Sequence, residues 1–249
     1  MRRAVLLCLL VLAGAAPRPS PAACDDPPGR RVIWLGCDKS GVDLRDADLR
    51  GAVLVRTDLS DATLQGARLN GADLGDANLS RADLSRAQLL GTRLVGARAV
   101  EARFVEAQLT DARLERIRLQ RADLSGADLR RAQLSKAGLG AARLVEARLD
   151  HADLREADLT DADLSRARLV EARLENSVLE SARLVGAELT GAQFDNANLL
   201  DTDFSEAILD EADLRDARID GADFSAARLG SVIWTDRRRC RPDSVGECR

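Results

Sequence analysis

The chain has 249 residues, 31% of them charged and 45% apolar, with a formal charge of −4. It has no tyrosine, four phenylalanines, two tryptophans and one methionine, which excludes a globular interior filled by mixed large side chains. The mild acidity gives no electrostatic case for binding nucleic acid.

The first segment reads as an export signal over residues 1–22. Arg2 and Arg3 precede an apolar stretch from Ala4 to Ala16, too short to span a bilayer comfortably. Small residues at Ser20 and Ala22 fit cleavage after Ala22, and cleavage after Ala15 is the alternative. Loss of Arg2, Arg3 and Arg18 would take the mature charge from −4 to −7. A lipoprotein cut before Cys24 is a weaker alternative, because the preceding Pro-Ala-Ala lacks an aliphatic residue. The expected location is periplasmic or extracellular, with no transmembrane span in the mature chain.

Residues 23–41 read as an N-terminal cap containing Cys24, Cys37 and Trp34. From residue 42 to 235 one rule takes over. Leucines recur every five residues from Leu44 to Leu229 without a slip, and Trp234 continues the phase. Two residues before each sits a small residue, as at Ala47, Ala52 and Ala62. A period of five fits neither standard element. On an α-helix it winds the leucines around every side, and on a flat strand it turns alternate leucines to water. It gives a continuous interior if the chain turns a corner in every pentapeptide, with the small and central positions both inward.

This pattern, as in "GADLG DANLS RADLS RAQLL" from Gly71, resembles the pentapeptide-repeat family, whose consensus is A-(D/N)-L-x-x. The resemblance spans about 190 residues. It implies an all-β fold: a right-handed quadrilateral β-helix of four pentapeptides per coil, forming a single elongated domain with capped ends. Phe104, Phe194, Phe204 and Phe224 replace leucine at the centre. Ala99 just before Phe104 reads as volume compensation. Thr57, Thr92, Ser177 and Thr202 place hydroxyls at the small position, where backbone is the expected partner.

The residue between small and central positions points outward, and positions 20 apart should stack. One side then carries Asp83, Arg103, Asp123, Arg143, Asp163, Arg183 and Asp203, an alternating column in which unlike charges attract. Arg93, Arg98, Arg113 and Arg118 form a basic patch on two neighbouring sides, read as a solvated face or as a contact for an anionic partner.

Residues 236–249 read as a C-terminal cap with Cys240 and Cys248, and "WTDRRRCRPDSVGEC" is similar to the tail of exported bacterial members of the family. Val-Ile-Trp occurs at both ends of the repeat, ending at Trp34 and at Trp234. Four terminal cysteines allow three pairings. A long solenoid favours Cys24–Cys37 and Cys240–Cys248, and a metal site would have to bring the ends together without histidine.

No catalytic, cofactor or metal site is expected. The single histidine, His151, falls at a repeat corner, and Ser80, Ser85 and Ser165 recur as turn residues with no base nearby. The reading is a structural or protein-interaction scaffold of the bacterial envelope. Its partner would be an unidentified protein or envelope polymer, and it would be a monomer or a dimer through one end. The alternative implied by the resemblance is a DNA mimic that binds type II topoisomerase. The export signal and mixed-charge faces disfavour it.

Overall fold

A computed structural model of the protein describes residues 24–249. From Ile33 onward every fifth residue makes a parallel bridge to the residue 20 positions later, ending with Asp213 to Ile233. Four bridges and four corners thus make one coil, and ten coil steps separate Ile33 from Ile233. At the spacing of neighbouring strands this is a stack roughly 48 Å long. Sides are numbered here by their central residues: side 1 carries Trp34 and Leu54, side 2 Leu59, side 3 Leu44 and side 4 Leu49.

The bridges are isolated, one residue wide, and no longer strand forms among the described residues. The chain corners too often for more. The regular backbone also begins earlier than the leucine phase indicates. Ile33 and Asp38, inside the segment expected to be a cap, already bridge to Val53 and Asp58.

The hydrogen bonds explain why five residues suffice. Take the pentapeptide Ala82–Arg86. Ala82 N–H closes the preceding corner onto Leu79 O, and Asp83 N–H donates to Ala62 O one coil below. Leu84 N–H donates to Arg103 O, and Arg86 N–H to Val105 O, one coil above. Stacking therefore pairs three of the five amides and the corner a fourth. The fifth, on Ser85, is taken by the Asp83 carboxylate at 2.9 Å. Each outward aspartate does the same for the amide two residues on, from Asp38 to Asp223. This Asx-type bond gives the Asp/Asn preference of the second repeat position its physical cause.

Every corner places its second residue in the left-handed region, with φ near +57° at Arg56, Glu106 and Asp111 and +66° at Gly71. A turn with positive φ at that position suits glycine, yet most corners here are not glycine. Their side chains stack in columns along the edges of the coil and recover part of that strain as ion pairs, described below.

The interior is a leucine and alanine column, nearly all at 0–2% exposure. Ala99 and Phe104 are both fully buried on neighbouring sides, a small and a large residue sharing one layer. The hydroxyls of Thr57, Thr92, Ser177 and Thr202 donate to the carbonyls of Trp34, Leu69, Leu174 and Leu179. Near the C-terminal end Phe204 and Phe224 stack with centroids 5.1 Å apart, and Phe194 and Trp234 flank them at 6.0 and 5.3 Å.

The two ends are capped in different ways. Trp34 is buried at the first coil, its indole N–H donating to Asp26 O and its ring 4.3 Å from Lys39 Nζ. Cys24 is joined to Cys37. At the other end the chain reverses. Arg228 pairs antiparallel with Val245 and Ile233 with Arg239, and Cys240 is joined to Cys248. Residues 1–22, read as an export signal, lie outside the described residues.

Candidate interaction surface

Side 3 holds the expected column in register, with each member of Asp83 to Asp203 bridged to the next. Its chemistry differs from the expectation. The only ion pair within the column is Arg103 to Asp83, at 3.7 Å. Asp123, Asp163 and Asp203 instead each accept a backbone N–H and a hydroxyl, from Ser125, Ser165 and Ser205. Arginine rungs carry valine where aspartate rungs carry serine, as at Val105, Val145 and Val185. The sequence thus repeats every 40 residues on this side, a two-coil signal beneath the five-residue one.

Close ion pairs run instead along the corners, between residues 20 apart: Asp61–Arg81, Glu101–Arg121, Asp111–Arg131, Glu146–Arg166 and Lys136–Glu156. His151 belongs to such a column. It is exposed, with Nδ1 3.3 Å from Glu171, and nothing places it for proton transfer.

Side 1 shows a third pattern with a period of 60 residues. Arg113–Glu115 and Arg173–Glu175 are the same two-residue pair three coils apart, as are Asp153–Arg155 and Asp213–Arg215. In Glu115 and Glu175 the second carboxylate oxygen is buried without a partner. The hydrogen bond from Arg155 holds the Asp153 carboxyl below its ordinary range, against the desolvation of its partial burial. Desolvation pushes Asp195 the other way, helped by the negative charge of Asp213 and opposed by Arg215.

The basic patch divides on inspection. Arg93 pairs with Asp73 at 2.8 Å and Arg113 with Glu115 at 3.0 Å, so both are compensated. Arg98 and Arg118 stack on side 2 in consecutive coils. Arg98 donates to the Ser80 hydroxyl, and neither has a carboxylate within 4.0 Å among the described residues. Arg116 joins them from the corner just before Arg118, also without a carboxylate and exposed. The uncompensated patch is therefore Arg98, Arg116 and Arg118. Arg116 was missed by the sequence reading because its phase marks a corner. Its lack of a partner follows from the column it stands in, between Gly96 and Lys136, and Lys136 is engaged by Glu156.

No cluster of metal-ligating side chains occurs among the described residues, and no described helix is long and apolar enough to cross a membrane.

Comparison with known proteins agrees with this architecture. HetL, a pentapeptide repeat protein involved in heterocyst differentiation regulation in the cyanobacterium Nostoc sp. strain PCC 7120, is 32% identical. The match covers 84% of this chain and 92% of HetL, with a TM-score of 0.58. QnrB1, a plasmid-mediated fluoroquinolone resistance protein, is 21% identical over 76% of this chain and 89% of its own, with a TM-score of 0.37. A pentapeptide repeat protein from the Arabidopsis thaliana thylakoid lumen is 25% identical over 51% of this chain and 70% of its own, with a TM-score of 0.22. No curated protein matches. Pentapeptide repeats match in eight copies, at residues 40–76, 64–98, 77–116, 102–140, 142–180, 172–210, 187–225 and 197–233, and the chain belongs to the pentapeptide-repeat family.

Proposed function

We propose that this protein is a non-enzymatic, exported scaffold, a right-handed quadrilateral β-helix that engages an anionic partner in the bacterial envelope through side 2. One observation carries the reading: Arg98, Arg116 and Arg118 lie together in two consecutive coils without carboxylate partners, in a protein that pairs most of its arginines. Guanidinium groups held in a fixed row suit carboxylate, sulfate or phosphate groups repeated along a polymer. Export is supported by the two end disulfides, which persist in oxidising compartments. Cys24 bonded to Cys37 leaves no thiol for a lipid, which argues against the lipoprotein alternative.

The test uses immobilised heparin as a model polyanion. Retention at low salt that is lost in the Arg98→Glu/Arg116→Glu/Arg118→Glu variant supports the proposal, and equal elution of variant and parent removes it. The topoisomerase-binding alternative has one feature in its favour, an acidic band between Gly186 and Ala226. Inhibition of gyrase supercoiling by the mature protein would establish it.

A further inference from the structure

The C-terminal cap closes only half of the last coil. On sides 4 and 1, Leu229 N–H reaches Ser244 O, Gly246 N–H reaches Ala227 O, and Trp234 N–H reaches Arg238 O. On sides 2 and 3 the outer backbone edge of the last coil is left unpaired among the described residues, although Val245, Gly246, Glu247 and Arg249 of the tail flank Ala222–Ser225 on side 3. The amides of Ile219, Gly221 and Phe224, which the repeat would donate to a coil above, have no backbone acceptor among the described residues. The carbonyls of Ala217 and Ala222, which would accept from that coil, receive no backbone donor. Ile219 and Ala222 are half-buried at the same place, leaving the core seam partly uncovered. This is an open edge two pentapeptides long, with donors and acceptors set for a further strand.

The repeats at the edge are mostly acidic, although Arg218 stands on side 2 of the last coil and the cap contributes Arg237, Arg238, Arg239, Arg241 and Arg249. From Gly186 to Ala226 the sequence has eleven aspartates and glutamates against two arginines, Arg215 and Arg218. On sides 4 and 1 the carboxylates find cations: Asp210 pairs with Arg228, Asp213 and Asp195 with Arg215, and Asp216 with Arg237. Asp201, Asp203, Asp220 and Asp223 have no cation within 4.0 Å among the described residues, and they rim the open edge on sides 2 and 3.

We propose that this half-coil binds an extended peptide bearing lysine or arginine, by addition of a strand to the open edge. Backbone pairing would supply affinity and the aspartate rim the choice of a basic sequence. A second copy of the chain fits less well. Stacked in the 20-residue register, its first coil would set Asp43 over Asp223, and the cap on sides 4 and 1 would hold it off.

The experiment uses two fluorescein-labelled ten-residue peptides, ARLKG repeated twice and ADLEG repeated twice, with the disulfide-intact protein. The basic peptide is expected to raise anisotropy at low ionic strength and to slow amide exchange at Ile219, Gly221 and Phe224. Asp220→Lys/Asp223→Lys should weaken it by about tenfold. Arg98→Glu/Arg116→Glu/Arg118→Glu should bind it as the parent does, which separates this site from the side 2 surface. The proposal is overturned if neither peptide binds, if the acidic peptide binds equally, or if protection falls elsewhere. It is also overturned if sedimentation shows a dimer that protects the same amides without peptide.

Discussion

The Asp163 carboxylate accepts both the backbone N–H of Ser165, at 3.0 Å, and its hydroxyl, at 2.6 Å. One side chain thereby satisfies the single amide of its pentapeptide that coil stacking and the corner bond leave over. Asp163→Ala should destabilise the protein by about 1 kcal/mol, the worth of one such bond. Asp163→Asn should cost less than half of that, because Asn78 serves Ser80 in the same way. Urea unfolding of the three proteins checks the order, and an equal loss for Asn and Ala would assign the effect to charge.

Acid stability follows from the same carboxylates. The side-chain hydrogen bond from Arg45, with that of its amide, holds Asp43 at about 2. Asp61 and Asp111 are lowered by Arg81 and Arg131, and Asp153 by Arg155. A depressed folded value means stability that is fully present above the usual carboxylate range and is lost as pH falls through the folded value. Asp195, raised chiefly by desolvation, runs the other way: its penalty is present at neutral pH and is relieved in acid. The depressed groups outnumber it, so the urea midpoint should be flat near neutrality and fall between about pH 4 and pH 2. In Arg45→Ala, an NMR titration should find Asp43 raised towards its ordinary value but still below it, because the amide of residue 45 remains.

The corners make a prediction of opposite signs. Gly71 has open space for a side chain but a φ of +66°, so Gly71→Val should destabilise by about 1–2 kcal/mol through the backbone alone. Ala141 holds a φ of +55°, and Ala141→Gly should be neutral or stabilising despite the extra freedom it gives the unfolded chain. Thermal unfolding of both variants decides it.

The core offers a compensation test. Ala99→Leu should overpack the layer that Phe104 fills, and Phe104→Leu should underpack it, each at about 1–3 kcal/mol. The double variant should recover much of the loss, a coupling that a double-mutant cycle measures directly. Additive losses would show that the two positions do not share a volume.

The five-residue period and the small and central inward positions were legible in the sequence, because the chain must turn a corner in every pentapeptide to bury an unbroken leucine column. The stacking of residues 20 apart came from the family resemblance, which implies four pentapeptides per coil. The partners of the outward charges were not. Asp83 lies within reach of Arg103 one coil above and of Ser85 two residues on, and period alone cannot choose between them. Asp83 binds the Ser85 amide at 2.9 Å and keeps Arg103 only at 3.7 Å, because leaving the amide unpaired costs more than a solvent-screened ion pair returns. Arg93 and Arg113 stood in the expected basic patch although both are neutralised: Asp73 stacks directly below Arg93, while the partner of Arg113 is Glu115 two residues on. The antiparallel return of residues 239 and 245 over the last coil had no periodic signal at all.

The most direct test of the coil itself is a cross-link. Asp158 and Val178 bridge one coil apart on side 2. Asp158→Cys/Val178→Cys, oxidised in the folded protein, should form a disulfide, since stacked neighbours at strand spacing fall within its allowed Cα separation. Asp158→Cys/Asp163→Cys, on adjoining sides, should not. Closure of the 158–163 pair with failure of the 158–178 pair would contradict a 20-residue coil.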